Sequence, residues 1–375
     1  MTRTRKIILG TLSVISGLLV VAVVVLGAVL SHDSSCGPPP ALADHIDRMK
    51  AVVYRCYGSP EVLKVEEIAK PTPTDEQVLV KVRAASINPL DWHYMTGKPY
   101  LMRAESGIGA PEDPSLGVDF AGTVAAVGKN VTKFKVGDEV FGGRDGALGQ
   151  YVAVREAGSI VLKPTNMTFE QAASVPVAAI TALQGLRDSG KVHAGQKVLI
   201  NGASGGVGTF AVQIAKSLGA EVTAVCSTRN VALVKSLGAD HVIDYTHEDF
   251  TQGTQRYDVI FDTVGNHSIS EYRRVMIPDG IFVIVGGQST DPFLGPLAEP
   301  LKAKLMQPFM SQKFQFFMAE INPQDLAVLA GMMQAGKLTP TVDRTYPMSD
   351  IQAAMRYLQA GHARGKVVIE VGDSS

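Results

Sequence analysis

The chain has 375 residues, of which 46% are hydrophobic, and its formal net charge is −1. This length provides two hydrophobic cores of ordinary domain size. The nearly neutral charge argues against a nucleic-acid partner, because proteins that bind nucleic acid carry basic patches. Three cysteines, Cys36, Cys56 and Cys226, fit neither a zinc spacing nor a disulfide framework, so we expect buried or idle thiols.

A long apolar segment lies near the N-terminus. Residues 7–30 are 24 residues without one charged side chain, and three basic residues precede them. A helix of this length spans a bilayer, whereas a secretory signal peptide has a shorter apolar region. The sequence therefore predicts a single-pass N-terminal transmembrane helix at 7–30, kept as an uncleaved anchor and followed by a proline-bearing tether. Cleavage near Gly27 and Ala28 is the alternative.

The pattern of the chain changes twice after Met49. Short alternating strands such as AVVYRCY and EQVLVKVRAASI run to about Pro164 and predict a partly closed β-barrel. Strands alternating with helices follow to about Phe317 and predict a doubly wound parallel sheet, so the fold class is α/β. Two helices and the strand GKVVIEV close the chain, and we expect this strand to return to the barrel. We assign residues 1–48 to the anchor and tether, 49–175 to the barrel domain, 176–320 to the doubly wound domain and 321–375 to the return.

A glycine turn opens the doubly wound region. It follows the strand KVLIN and precedes the helix TFAVQIAKSLG, with glycines spaced as G-x-x-G-x-x-G. Glycine permits a tight turn and a close approach to pyrophosphate, and the helix N-terminus favours an anion. The pattern predicts a dinucleotide site, with plain helix–sheet packing as the alternative. The residues assigned to the cofactor here are Gly202, Ala203, Ser204, Gly205, Gly206, Val207 and Gly208.

The residues after the second strand of this unit favour one nicotinamide cofactor over the other. An acidic residue there would bind the ribose 2′-hydroxyl and repel a 2′-phosphate. This chain has Ser227, Thr228 and Arg229 instead. Two hydroxyls and a guanidinium suit a phosphate, which predicts NADP(H) rather than NAD(H). An arginine merely solvated at the strand end is the alternative.

The predicted anchor and the predicted cofactor point to opposite sides of the membrane. Basic residues precede the apolar segment and none lies in the seventeen residues after it, which places the catalytic part outside. NADPH is a cytosolic cofactor. Translation from Met49 would remove the conflict, but the composition of residues 7–30 favours a membrane protein. We leave its side open.

Several motifs together resemble one enzyme family. They are the opening MKAVVYRCYGSPEVLKVEE, then ASINPLDWHYMTG, SLGVDFAGTVAAVG, FKVGDEVFG, AASVPVAAITALQGL, NGASGGVGTFAVQIAKSLGA and the closing GHARGKVVIEV. Their order resembles the medium-chain dehydrogenase/reductase superfamily, and within it the zinc-lacking quinone oxidoreductase, or zeta-crystallin-like, group. The resemblance covers nearly all of Met49 to Val371 and implies a GroES-like catalytic domain, a Rossmann NADP-binding domain and a homodimer.

The resemblance also implies site residues in the catalytic domain. Asn88 and Asp91 would face the nicotinamide, with Asn88 donating a hydrogen bond to the oxygen of the acceptor. Family members often have a tyrosine where this chain has His93, so either His93 or Tyr94 is the candidate proton donor, and solvent is a third source. A plain cleft-lining role is the alternative for His93.

Further cofactor contacts follow from the resemblance alone. They extend from the nicotinamide end to the adenosine phosphate. For the two basic residues among them, a role as plain surface charges is an equal alternative. The residues are Thr181, Gly286, Thr263, Gly265, Tyr245, Arg364 and Lys366.

The missing zinc ligands narrow the expected chemistry. Zinc alcohol dehydrogenases of this superfamily carry a cysteine ligand where ASINPLD stands, so we expect no metal. Hydride transfer from NADPH to a quinone or an α,β-unsaturated carbonyl needs orientation and exclusion of water rather than a Lewis acid. The long segments 99–115 and 288–310 are expected to shape the acceptor pocket. A zinc-independent alcohol or aldehyde reductase and a non-catalytic NADPH-binding protein stay as alternatives.

Overall fold

The computed structural model describes residue 21 and residues 24–287, 292–295 and 298–372. Its first helix, α1, covers residues 24–31. The strands are β1 Arg48–Val53, β2 Lys64–Ala69, β3 Gln77–Ile87, β4 Asp119–Val127, β5 Glu139–Gly143, β6 Tyr151–Arg155, β7 Ile160–Leu162, β8 Lys197–Asn201, β9 Glu221–Cys226, β10 His241–Asp244, β11 Tyr257–Asp262, β12 Met276–Ile284, β13 Lys313–Phe316, β14 Val342–Pro347 and β15 Lys366–Glu370. The further α-helices are α2 Pro89–Thr96, α3 Arg103–Ser106, α4 Phe169–Ala173, α5 Pro176–Gln184, α6 Gly206–Ser217, α7 Val231–Ser236, α8 Ile269–Arg274, α9 Ala298–Met306, α10 Pro323–Gln334 and α11 Ile351–Gln359.

The first large sheet has seven strands and includes the end of the chain. Its order is β14-β15-β3-β4-β5-β7, and β6 also pairs with β3. The long strand β3 alternates buried and exposed residues from Val80 to Ala84 and is wholly buried at its end. The closing strand β15 runs antiparallel to β3, with Val367 opposite Ile87. This pairing brings residues near position 366 to the end of β3, where α2 begins.

The second sheet has six parallel strands in the order β10-β9-β8-β11-β12-β13. Strand β8 is buried along nearly its whole length, as expected for a parallel strand covered on both faces. The order reverses between β8 and β11, and the carboxyl ends of these two strands form the crevice where open α/β sheets bind ligands. The glycine turn follows β8 directly, so this topology sets the location of the site.

The two sheets share one continuous core. Its buried residues include Ala84, Ala121 and Phe141 from the first sheet, and residues of α5, α6 and α10. Helix α5 carries alanines on its buried face, which allow it to pack closely against α6. The α/β architecture with a GroES-like and a Rossmann domain is therefore present.

The segment after α1 is bound to the catalytic domain rather than forming a free tether. Leu30 is buried, and the Ser34 N–H donates to the Gly109 carbonyl at 2.8 Å. Cys36 forms a disulfide with Cys56, so the expectation of idle thiols is wrong for this pair, while Cys226 is free and buried. The spacing of cysteines could not show this pairing, because the fold brings the two residues together.

The predicted transmembrane helix lies mostly outside the described residues. Of the predicted span 7–30, the structure describes residues 21 and 24–30. In the part of the chain that is described, no helix has the length and apolarity needed to cross a membrane.

Candidate active site

The glycine turn after β8 forms a cradle of exposed backbone. Gly202 adopts φ +81°, a conformation that favours glycine, and a Cβ on Gly208 would collide with the Gly202 carbonyl oxygen. Helix α6 begins after Gly205 with no capping side chain and no acidic residue in its first turn. Its first N–H groups and its dipole therefore remain available for an anion, and the turn fits a dinucleotide pyrophosphate.

A surface cavity of about 340 Å³ lies beyond the carboxyl end of β9. Its lining combines hydroxyl groups with basic or aromatic side chains: Ser227, Thr228, Arg229, Tyr245, Thr246 and His362. The Arg229 guanidinium donates to the His362 carbonyl at 2.8 Å and is otherwise exposed. This donor set fits a phosphate group, and four of its members are residues that the sequence assigned to the cofactor.

The other predicted cofactor residues of this domain follow β11 and β12, on the far side of the glycine turn from the cavity, except Thr181, which lies in α5. Thr263 Oγ1 donates to the Asn201 carbonyl at 2.9 Å, and the Gly265 N–H donates to Asp262. The Gly286 N–H faces the Asp262 carbonyl, and Thr181 Oγ1 donates to the Val177 carbonyl one turn earlier in α5. The backbone at these positions is thus fixed by the strand ends themselves.

A buried polar network connects the catalytic segment with the cofactor domain. Asp119, fully buried at the start of β4, accepts hydrogen bonds from Ser86 Oγ at 2.9 Å and from Asn88 Nδ2 at 3.0 Å. Its second carboxylate oxygen accepts the Val177 N–H at the start of α5 at 2.9 Å. One carboxylate therefore holds Asn88 and the cofactor-domain helix in a fixed relation.

Lys366 completes this network from the closing strand. Its ammonium lies 3.3 Å from Asp119 Oδ2, donates to Asn88 Oδ1 and faces the Ile87 carbonyl. The side chain is 3% exposed, and its stem passes beside Gly206 of the turn. The three ammonium hydrogens thus face protein acceptors in this structure, and the phosphate contact of Lys366 stays a prediction. Arg364 is exposed, and its own N–H is bonded to Asp343.

Asp91 lies behind the reacting face and acts as a cap. Its carboxylate accepts the Asn88 N–H at 2.7 Å and the Gly117 N–H at 3.1 Å. Burial raises the pKa of Asp91 to about 7 because the charged form loses hydration. The structure therefore gives Asp91 contacts that position α2 and the loop before β4.

His93 has a fixed ring orientation. Its Nδ1 lies 2.7 Å from the Lys98 carbonyl oxygen, and since a carbonyl only accepts, we assign the hydrogen to Nδ1. Burial lowers the pKa of His93, so the neutral ring is favoured and its Nε2 carries a lone pair. At neutral pH this imidazole accepts a hydrogen bond rather than supplying a proton.

Two aromatic residues flank this histidine. The pKa of Tyr94 is raised by burial, so its phenol keeps its proton well into the alkaline range. The Trp92 ring lies 4.7 Å from the His93 ring, and its buried Nε1–H has no hydrogen-bond partner within the described structure. Of the two predicted donors, His93 has its ring hydrogen bonded to the Lys98 carbonyl, whereas Tyr94 keeps its phenolic hydrogen at neutral pH.

Family models and relatives agree on the family of this chain. Residues 74–165 match the model of the alcohol dehydrogenase GroES-like domain, and residues 237–369 match a model described as zinc-binding dehydrogenase. A 2-methylene-furan-3-one reductase of Solanum lycopersicum is 35% identical over 336 residues, which covers 86% of this chain and 79% of the relative. The chain belongs to the medium-chain dehydrogenase/reductase superfamily, in its quinone and enoyl oxidoreductase-like family.

Further relatives extend the same family. The chloroplastic NADPH-dependent alkenal/one oxidoreductase of Arabidopsis thaliana is also 35% identical and covers the same shares of both chains. The solved quinone oxidoreductase of Coxiella burnetii superposes with a TM-score of 0.77 at 30% identity, covering 87% of this chain and 100% of that one. Both the fold and the relatives of this chain are those of oxidoreductases, and the chain is therefore an oxidoreductase.

One family model is described as a zinc-binding dehydrogenase, which raises the question whether this reductase has side chains that could bind a metal ion. Among the described residues, no three His, Cys, Asp or Glu side chains come together in an arrangement that could hold a metal ion. Val118 lies in the loop before β4, and Asp119 begins the strand. The Asp119 carboxylate is already bonded to Ser86, Asn88 and Lys366.

Three residues of the site were not predicted as such. Asp119 joins the two domains, Asn230 donates to both Ser204 and Ser227, and His362 lines the phosphate-sized cavity. Asn230 follows the Ser-Thr-Arg sequence directly, a signal that could have been noticed. His362 reaches the cavity from the far end of the chain, and nothing in local sequence indicates that contact.

Proposed function

We propose that this chain is an NADPH-dependent, zinc-independent reductase of quinones or α,β-unsaturated carbonyl compounds. The observation that carries the proposal is the carboxyl edge of the six-stranded sheet, where an uncapped glycine-turn helix and a basic cavity lie, together with Lys366, which passes beside the turn and bonds the Asn88 amide. The relatives named as alkenal/one and quinone oxidoreductases support the acceptor class. The relative's NADPH dependence supports the cofactor.

The residues of the chain have separable tasks in such a reaction. When bound, NADPH supplies the hydride. Lys366 and Asp119 hold the Asn88 amide in one orientation, and its second amide hydrogen is proposed to stabilise charge on an acceptor oxygen. Tyr94 keeps its phenolic proton at neutral pH and can return one to the reduced acceptor, while the neutral His93 ring orients it or a water.

A panel of three acceptors tests this function. The full chain with NADPH and a quinone, an enone or a simple aldehyde is expected to oxidise NADPH with the first two, because their conjugated carbonyls delocalise the incoming charge. Oxidation with the aldehyde alone would indicate an alcohol or aldehyde reductase. Tight NADPH binding without turnover of any acceptor would indicate a binding protein.

A single substitution tests the cofactor preference. Arg229→Asp places a carboxylate in the cavity where the 2′-phosphate is proposed to bind, so we expect the KM for NADPH to rise about 100-fold and that for NADH to change little. Steady-state kinetics with both cofactors measure this, and Arg256→Asp is the matched control because Arg256 is an exposed arginine that precedes β11, at the edge of the sheet opposite the cavity. Equal losses for both cofactors would contradict the assignment.

We also propose that residues 7–26 anchor the enzyme in a membrane. The support is compositional, since these residues carry no charge and three basic residues precede them. Carbonate extraction of membranes tests the anchor: release of the native protein would exclude it. The charge bias and the Cys36–Cys56 disulfide favour a catalytic part outside the cytoplasm, the cofactor favours the inside, and labelling an engineered cysteine at exposed Ala41 from one side decides.

A further inference from the structure

Three exposed apolar side chains lie close together beside α1. Leu101 is 46% exposed, Phe293 42% and Leu294 36%. We call these three residues the apolar face. Large apolar side chains on a soluble protein are usually scattered singly, and a contiguous group indicates a surface that meets another apolar phase.

Backbone pairing makes this face continuous. The Tyr100 N–H donates to the Pro292 carbonyl at 2.8 Å and the Leu101 N–H to the Phe293 carbonyl at 3.3 Å. The Tyr100 and Phe293 rings meet edge to face at 5.3 Å between centroids. The segments 99–101 and 292–295, both from regions expected to shape the acceptor pocket, therefore form one surface.

Helix α1 is fixed against the same surface. Gly27 lies against the Phe293 ring, where a Cβ would come within 3.4 Å of the ring carbons. The exposed residues of α1, Val24, Val25, Leu26, Ala28 and Val29, are all apolar, whereas Leu30 is buried. The apolar surface thus runs from the catalytic domain onto α1.

Arg103 is the residue that holds α1 in place. Its guanidinium is 1% exposed and donates to the Leu30 and His32 carbonyls at 3.1 and 3.0 Å, and it pairs with Asp33 at 2.8 Å. On its other side it donates to the Gly97 carbonyl and lies 4.3 Å from the Tyr57 ring centroid. A single buried cation therefore joins the chain leaving α1 to the loop that follows α2.

We propose that the apolar face rests in the surface of a lipid bilayer and admits acceptors with long apolar chains, such as lipid quinones, from the lipid phase. The proposal rests on the proposed reductase function. Residues 7–26 are twenty residues, enough at about 1.5 Å each to cross about 30 Å of hydrocarbon without the last turn of α1. Since that last turn is bound to Arg103, the domain is held directly against the membrane instead of at the end of a flexible linker.

The path from this face to the reacting side chains is short. The Lys98 carbonyl holds His93 Nδ1 at 2.7 Å, and the Gly97 carbonyl accepts from Arg103 Nε at 2.8 Å. Residues 97–103 therefore connect α1 directly to the helix that carries His93 and Tyr94. An acceptor whose ring enters beside this loop can leave its apolar chain in the bilayer.

The kinetic test compares two quinones of the same ring and different chain. The full chain is placed in phosphatidylcholine vesicles with a water-soluble quinone or a quinone bearing a decyl chain. The triple variant Leu101→Ser, Phe293→Ser, Leu294→Ser is expected to lower the ratio of kcat/KM for the decyl quinone to that for the soluble quinone by about tenfold. The control variant Val136→Ser, Leu162→Ser, Val328→Ser removes three comparably exposed apolar side chains elsewhere and should leave the ratio unchanged.

A physical measurement separates this inference from the reductase function. A fluorophore at Leu101→Cys is expected to be quenched by lipids carrying bromine on their acyl chains, and one at Val136→Cys is not. If the triple variant leaves the kcat/KM ratio unchanged and no quenching occurs, the membrane face is overturned. The proposed reductase function then still stands, provided that the protein turns over quinones. Energy transfer between labelled copies without lipid quenching would show that a second copy covers the face and would overturn it as well. Quenching without turnover of any quinone would leave the face and remove the function.

Discussion

At the scale of single residues, the site depends on one buried charge pair. Asp119 has no exposed surface, Lys366 has 3%, and both are bonded to the Asn88 amide. A buried pair of this kind contributes little net stability, but removing one partner leaves an uncompensated charge in the interior. Its value here is geometric, since it fixes the direction of a side chain that faces the crevice.

Lys366→Met alone should therefore destabilise the protein much more than Lys366→Met combined with Asp119→Asn. We expect Lys366→Met to destabilise the protein by about 3–5 kcal/mol, because the Asp119 carboxylate stays buried without its partner. Adding Asp119→Asn should restore most of that stability, as measured by chemical denaturation. In the double variant kcat should stay low while the KM for NADPH is nearly normal, since Asn88 has lost its orientation. Full recovery of kcat would contradict the positioning role.

Asp91 gives the protein a pH dependence that can be predicted in sign. Burial raises its folded pKa to about 7, above the unfolded value near 4, so the folded state binds the proton more tightly. The contribution of this residue to stability is present below pH 4 and is lost as the pH rises to 7. Relative to Asp91→Asn, the native protein should therefore lose unfolding free energy between pH 4 and 7. Parallel pH profiles of the two proteins would refute the raised pKa.

At the scale of elements, the glycine turn combines a strand, a turn and a helix that each need the others. Strand β8 brings the chain to the sheet edge, Gly202 turns it with φ +81°, and α6 leaves with its first N–H groups uncapped. The packing of Gly208 against the turn makes the helix approach the strand end closely. The local sequence contains all of this information, which is why it could be predicted.

Gly208→Ala should disrupt this element selectively. The added Cβ collides with the Gly202 carbonyl, a backbone atom that cannot move aside, so the turn must open. We expect the dissociation constant for NADPH to rise at least tenfold, measured by fluorescence titration. Gly331→Ala is the matched control, because Gly331 lies inside α10 with open space around it and should gain helix propensity without affecting the cofactor. Equal affinities in all three proteins would contradict the cradle.

At the scale of the whole molecule, the N-terminal segment is part of the catalytic domain. The Arg103 contacts and the Cys36–Cys56 disulfide join residues 30–36 to parts of the chain that follow β1. The composition of the segment after the apolar residues indicated only a tether. These contacts make residues 30–36 part of the folded catalytic domain. Because Arg103 bonds both the loop after α2 and the end of α1, a movement of that loop also moves α1.

The disulfide gives a measurable contribution at this scale. It closes a loop with a sequence separation of 20 residues, for which chain entropy gives a stabilisation of about 3 kcal/mol. We expect a reductant to lower the Tm of the native full chain by several degrees. The variant Cys36→Ser, Cys56→Ser should start at that lower Tm and not respond to reductant. A native protein whose Tm ignores reductant would show that the bond is absent.

The sequence by itself determined the family, the order of the two sheets and the glycine turn, because each depends on periodicity and turn residues that are local in the chain. It also predicted as cofactor residues Ser227, Thr228 and Arg229, which follow β9 directly and line the cavity there. Only the tertiary structure showed that Lys366 bonds the Asn88 amide, that His362 reaches the cavity and that Cys36 meets Cys56. These contacts join residues 20 to 278 positions apart. Such contacts arise from strand pairing and loop packing, and no local pattern encodes which distant side chains they bring together.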